Sequence, residues 1–132
     1  MAASAESQRP LGAGRHVFAL VLAALLGGAV WVTISITSVH AEAFDDQAYF
    51  TVGLPVIALG CLLLGHVVPY KAWRYGLVAI GTHAVALIVL VVQTGAAGLV
   101  AVGLGFFALI AVPMILAGWL GAWLRLRDQQ GR

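Results

Sequence analysis

Four long stretches of this chain contain no Lys, Arg, Asp or Glu, and short polar segments separate them. They cover about residues 17–39, 50–68, 75–92 and 99–124. Each has at least 18 residues, and an α-helix of about that length crosses the roughly 30 Å of hydrocarbon in a bilayer. Within lipid every backbone N–H and C=O must find a partner inside the protein, which leaves helices or closed barrels. A barrel strand would alternate apolar and polar residues. These runs are apolar throughout, so the pattern predicts an all-α integral membrane protein, a four-transmembrane-helix bundle over residues 17–124. Residues 1–16, with Pro10, Gly12 and Gly14, read as a disordered leader, and residues 125–132 as a polar tail.

The charged residues then orient the bundle. Arg9 and Arg15 precede the first span, Lys71 and Arg74 lie between the second and third, and Arg125, Arg127 and Arg132 follow the fourth. With four crossings those segments share one face, so all seven Lys and Arg lie on it. The loop on the opposite face, residues 40–49, carries Glu42, Asp45 and Asp46 and no base. Positive charge is retained on the cytoplasmic side, which predicts a multi-pass cell-membrane protein with both termini cytoplasmic. Tyr70, Trp73, Tyr75 and Trp123 cluster at the inner boundary and Tyr49 and Phe50 at the outer, where amphipathic rings sit at headgroup depth.

Composition agrees with lipid as the solvent. The chain is 62% hydrophobic and 9% charged, with a mean hydropathy of +1.02; soluble domains carry about 25% charged residues. The net charge of +2 is accounted for by the span ends, so the expected partner is the bilayer and not nucleic acid. Cys61 is the only cysteine, which excludes an intrachain disulfide. The Ala, Gly, Val and Leu bias fits a GC-rich bacterial genome, hence a bacterial inner membrane. One competing reading is cleavage after Ala41, since Val39-His40-Ala41 resembles a signal-peptidase site. The preceding apolar run is longer than the 7–15 residues of a signal core, so an intact first span is expected.

Few polar groups lie where chemistry could occur. Reflecting the second and third spans about Ala72 puts Cys61 level with His83, each 11 residues away and near mid-membrane. An ionisable residue at that depth is a functional candidate, so the pair could serve a metal, a haem or a proton relay. The competing reading is a neutral His83 bonded to a hydroxyl such as that of Thr33, with Cys61 as an apolar filler. His16 and His66, near the inner interface, form the other candidate pair for a haem or metal; the plainer reading leaves both wet and unpaired. No metal site is expected, because two ligands fall short of the three or four that zinc sites use. The loop residues His40, Glu42, Asp45 and Asp46 lack an EF-hand pattern. No catalytic residue and no cofactor are expected.

Packing signals are clearer. Ala19, Ala23 and Gly27 form one i,i+4 row in the first span, and Ala117 with Gly121 and Gly118 with Ala122 repeat small-xxx-small in the fourth. Such rows let helix backbones approach. Pro113 removes a backbone bond to Leu109 and is expected to kink the fourth span; Pro55 falls in the first turns of the second, where proline costs little. The turn Pro69 to Trp73-Arg74-Tyr75-Gly76-Leu77, and Gly118-x-x-Gly121-Ala122-x-Leu124-Arg125 near the end, resemble small bacterial four-span proteins. That resemblance carries no activity and assigns no family. The favoured function is a non-enzymatic structural or accessory subunit, as a homo-oligomer or within a larger membrane complex. The alternatives are a small transporter or channel using His83, and a haem- or metal-binding redox protein. Small multidrug transporters match in size and span number, but their first-span carboxylate is missing from residues 17–39.

Overall fold

A computed structural model describes residues 9–38, 46–95 and 99–131. Among them it contains four long helices: α1 Arg9–Thr37, α2 Leu54–Val67, α3 Trp73–Thr94 and α4 Leu99–Gln130, with a π-helical turn, Tyr49–Gly53, leading into α2. All four helices, α2 with its π turn, are long and apolar enough to cross a membrane. Within the described residues helix α1 covers Arg9–Thr37, so Arg9 to His16, expected in the leader, are helical. Helix α4 likewise runs past the last apolar residue to Gln130. His40, Glu42, Asp45 and the Val39-His40-Ala41 segment lie outside the described residues.

Each boundary has a local cause. Pro55 has no N–H to offer the Thr51 carbonyl, and upstream of it the chain widens, the Leu54 N–H donating to the Tyr49 carbonyl five residues back. Between α2 and α3 the chain reverses over Val68 to Ala72, with Lys71 in the left-handed region at φ 49°. Gly95 ends α3 with φ 74°, and its N–H donates to the Val91 carbonyl at 2.8 Å, the left-handed closure that glycine adopts at no steric cost. Pro113 stands inside α4, which continues through it.

Helix α4 packs along both α2 and α3, while α1 packs mainly on α3 and more lightly on α2. The order around the bundle is therefore α1, α3, α4, α2, with α2 and α3 as one diagonal. Glycines set this arrangement. A Cβ at Gly65 would overlap the Gly118 carbonyl, one at Gly121 would overlap the Leu62 carbonyl, and one at Gly76 would run into the Met114–Ile115 peptide. Gly27 does the same for α1 and α3, lying directly on the Ala79 carbonyl and the Thr82 hydroxyl. Without Cβ atoms the backbones come close enough for extended dispersion contact, the main attraction between helices in lipid. Ala19, Ala23 and Ala122 are buried in these seams, and Ala117 is half-buried beside them. The outward faces carry Val, Leu and Ile, with Ile36 at 77% exposure and Val92 at 79%.

Candidate functional site

His83 is the centre of the bundle. It is fully buried, at 0% exposure, and it touches all three other helical segments. Its Nε2 lies 2.9 Å from the Gly27 carbonyl of α1. A carbonyl can only accept, so Nε2 carries the proton and Nδ1 holds the lone pair. Nδ1 in turn accepts from the Tyr49 hydroxyl at 2.7 Å. The imidazole is thus in a defined neutral tautomer with both nitrogens used. Gly27 makes the bond possible: its missing side chain lets α3 reach a helix carbonyl whose second lone pair is free.

An aromatic shell encloses this pair. The Trp31 ring is 5.2 Å from His83 and 6.3 Å from Tyr49, centroid to centroid. Phe107 of α4 lies 5.9 Å from both Trp31 and His83, in edge-to-face geometry. Phe50 and Phe106 extend the cluster, 6.0 Å apart. Edge-to-face pairs at these separations are attractive beyond the area they bury, and their bulk keeps water from the two hydrogen bonds.

Several sequence-based expectations change here. The hydroxyl that satisfies His83 belongs to Tyr49, not to Thr33, which is exposed. Tyr49 is fully buried and so is not part of an outer aromatic belt. Cys61 is also buried, on a stretch of α2 whose backbone runs beside Gly118 of α4. His83 and Cys61 stand on diagonal helices, and no lone pair of His83 remains for a shared metal. Trp31 and Phe107 were not singled out from the sequence. The available signal was that Trp31 continues the row Ala19, Ala23, Gly27 by one more step of four.

A second junction lies at the basic end. Tyr75, fully buried, donates its hydroxyl proton to the Val68 carbonyl at 2.8 Å. Its oxygen then accepts from His16 Nδ1, 3.3 Å away. His16 also stands edge-on to Tyr70, with centroids 5.1 Å apart. His16 is only 7% exposed, which corrects the expectation of a wet interfacial residue. With Nδ1 protonated, Nε2 is left as a buried atom with no hydrogen-bond partner among the described residues. His66 is not drawn to it; the half-buried His66 instead gives its carbonyl to Arg125. The Arg125 Nη1 donates to the carbonyls of His66 at 3.0 Å and Val67 at 2.6 Å, closing the end of α2 from α4. The carbonyls of His66, Val67 and Val68, beyond the reach of the helix's own N–H groups, are therefore satisfied by the side chains of Arg125 and Tyr75.

Among the described residues no group of three or more His, Cys, Asp or Glu is placed to hold a metal ion. Asp46 accepts from the Ala48 N–H at 2.8 Å, a local turn bond that steadies the entry to the π turn. Thr37 returns its hydroxyl to the Thr33 carbonyl at 2.8 Å, as hydroxyls on apolar helices commonly do. Comparison with protein-family models, with curated proteins and with solved structures finds no match for this chain.

Proposed function

We propose that this chain is a multi-pass cell-membrane protein of a bacterial inner membrane, with both termini cytoplasmic, acting as a non-enzymatic structural or accessory subunit. One observation carries the reading: His83, the polar side chain deepest in the bundle, spends both ring nitrogens on Tyr49 and Gly27. Its chemistry is used to tie α1, α2 and α3 together. The glycine contacts at Gly27, Gly65, Gly76, Gly118 and Gly121 support the same role, since they build a closely packed body with lipid-compatible outer faces. Transport through His83 would require it to release one of those two bonds in each cycle. The placing of all seven Lys and Arg on one face supports the cytoplasmic assignment of the termini.

The test is purification from native membranes in mild detergent, with and without crosslinking. Recovery in fixed stoichiometry with a larger complex or with further copies supports the reading. A lone chain that drives proton-coupled flux in vesicles, lost on His83→Leu, contradicts it. A second reading, a cofactor-binding protein, is favoured by the unpartnered His16 Nε2. A visible absorption band from the purified protein that disappears on His16→Ala would support that alternative.

A further inference from the structure

The basic end of the bundle carries more than a statistical excess of charge. Three of its cations stand over aromatic rings of neighbouring positions: Lys71 over Tyr70 at 5.1 Å, Arg74 over Trp73 at 5.3 Å and Arg127 over Trp123 at 4.9 Å. Those rings are themselves open, Tyr70 at 58%, Trp73 at 43% and Trp123 at 40% exposure. A cation on a ring face is positioned without losing its charge, and the ring holds it at headgroup depth. Arg15 lies at the same end, on the turn of α1 that carries His16, and is exposed. Asp128 is the one carboxylate on this end among the described residues, and none of the four cations is ion-paired with it. Arg125 is set apart, because its Nη1 is committed to the α2 carbonyls.

We infer that this rim is a binding surface for the headgroups of anionic phospholipids, with Lys71, Arg74 and Arg127 as ring-mounted phosphate contacts and Arg15 completing the positive field. Charge complementarity selects the occupant. Among the described residues these cations have no carboxylate partner, and the tyrosine and tryptophan rings beneath them fix the depth at which lipid phosphates lie. A guanidinium pairs with phosphate through two parallel N–H bonds. The surface holds wherever the end faces in the cell, so the inference is independent of the proposed accessory role.

The experiment places the full chain in bilayers of phosphatidylcholine with a fixed fraction of phosphatidylglycerol, one lipid at a time brominated on its acyl chains. Quenching of tryptophan fluorescence, to which Trp73 and Trp123 of the rim contribute beside Trp31 and Trp119, then reports the lipid next to these rings, and the change between wild type and rim variants isolates the rim. The expected result is stronger quenching by brominated phosphatidylglycerol than its mole fraction gives. Each surface cation attracts anionic lipid by about 1 kcal/mol, so each of Lys71→Gln, Arg74→Gln and Arg127→Gln lowers the preference about fivefold. Arg74→Lys and Arg127→Lys, which keep the charge, retain most of it. High salt weakens it, because the screening length falls to about 3 Å at 1 M. Circular dichroism of each variant establishes that the helices are intact. Quenching that follows mole fraction in the wild type, or a preference unchanged when all three cations are neutralised, overturns the inference.

Discussion

Removing a single oxygen tests whether the Tyr49–His83 bond holds the bundle together. Tyr49→Phe keeps the ring, and with it the contacts to Trp31 and Phe50, but deletes the donor 2.7 Å from His83 Nδ1. Hydrogen bonds between membrane helices average about 0.6 kcal/mol and reach about 1.7. This one is short, fully buried and leaves a lone pair unsatisfied when broken, so the upper part of that range applies. The expected loss is about 1–2 kcal/mol, a factor of roughly 5–30 in the folding equilibrium. His83→Leu removes both bonds and strands the Tyr49 hydroxyl, at about 1–3 kcal/mol, while the Gly27 carbonyl keeps its own helix bond. The assay is reversible unfolding in mixed micelles, read by circular dichroism, across the full double-mutant cycle. In the His83→Leu background the Tyr49 hydroxyl has no acceptor, so Tyr49→Phe should cost nothing or stabilise slightly. Equal costs in both backgrounds would mean that the two residues are not coupled, and the reasoning about the tie would be wrong.

The remaining predictions use the same unfolding measurement. Gly121→Val and Gly65→Val push a side chain into the Leu62 and Gly118 carbonyls and should separate α2 from α4, lowering stability by at least 2 kcal/mol on the scale of overpacking, about 1–3 kcal/mol. Gly28→Ala and Gly105→Ala meet no neighbouring atom and should change stability by under about 1 kcal/mol. Arg125→Gln loses a charged donor to two backbone carbonyls at the end of α2 and should cost about 1.5–3 kcal/mol. Arg125→Lys should recover part of that, since an ammonium can still donate but lacks the planar fork.

The sequence reports the spans well because lipid imposes one rule on every residue of a crossing segment. It reports neighbours poorly, because helix order around a bundle depends on where backbones can approach. Gly27 and the Gly118/Gly121 pair were visible as small-residue rows, whereas Gly65 sits in no such row and Gly76 has only Ala72, at the edge of its span, four residues before it; these two place α4 between α2 and α3. The hairpin picture that levelled Cys61 with His83 treated α2 and α3 as adjacent; the structure sets them diagonally. Counting from Ala72, Tyr49 and His83 differ by 12 residues, about 18 Å of axial rise, so depth alone conceals their bond. The π turn ahead of Pro55 takes more residues per turn than an α-helix, which rotates Tyr49 away from the face α2 would otherwise present. The orphaned Nε2 of His16 likewise follows from the Tyr75–Val68 bond, which no spacing in the chain reveals.

The most direct measurement of the whole account is residue-by-residue sidedness. In a Cys61→Ala background, single cysteines at the exposed positions Gln47, Lys71 and Gln129 are treated in intact cells with a maleimide that cannot cross the membrane. Gln47→Cys should label at once, whereas Lys71→Cys and Gln129→Cys should label only after permeabilisation. Labelling of Lys71→Cys and Gln129→Cys from opposite sides would contradict four crossings, and with them the placement of every residue discussed above.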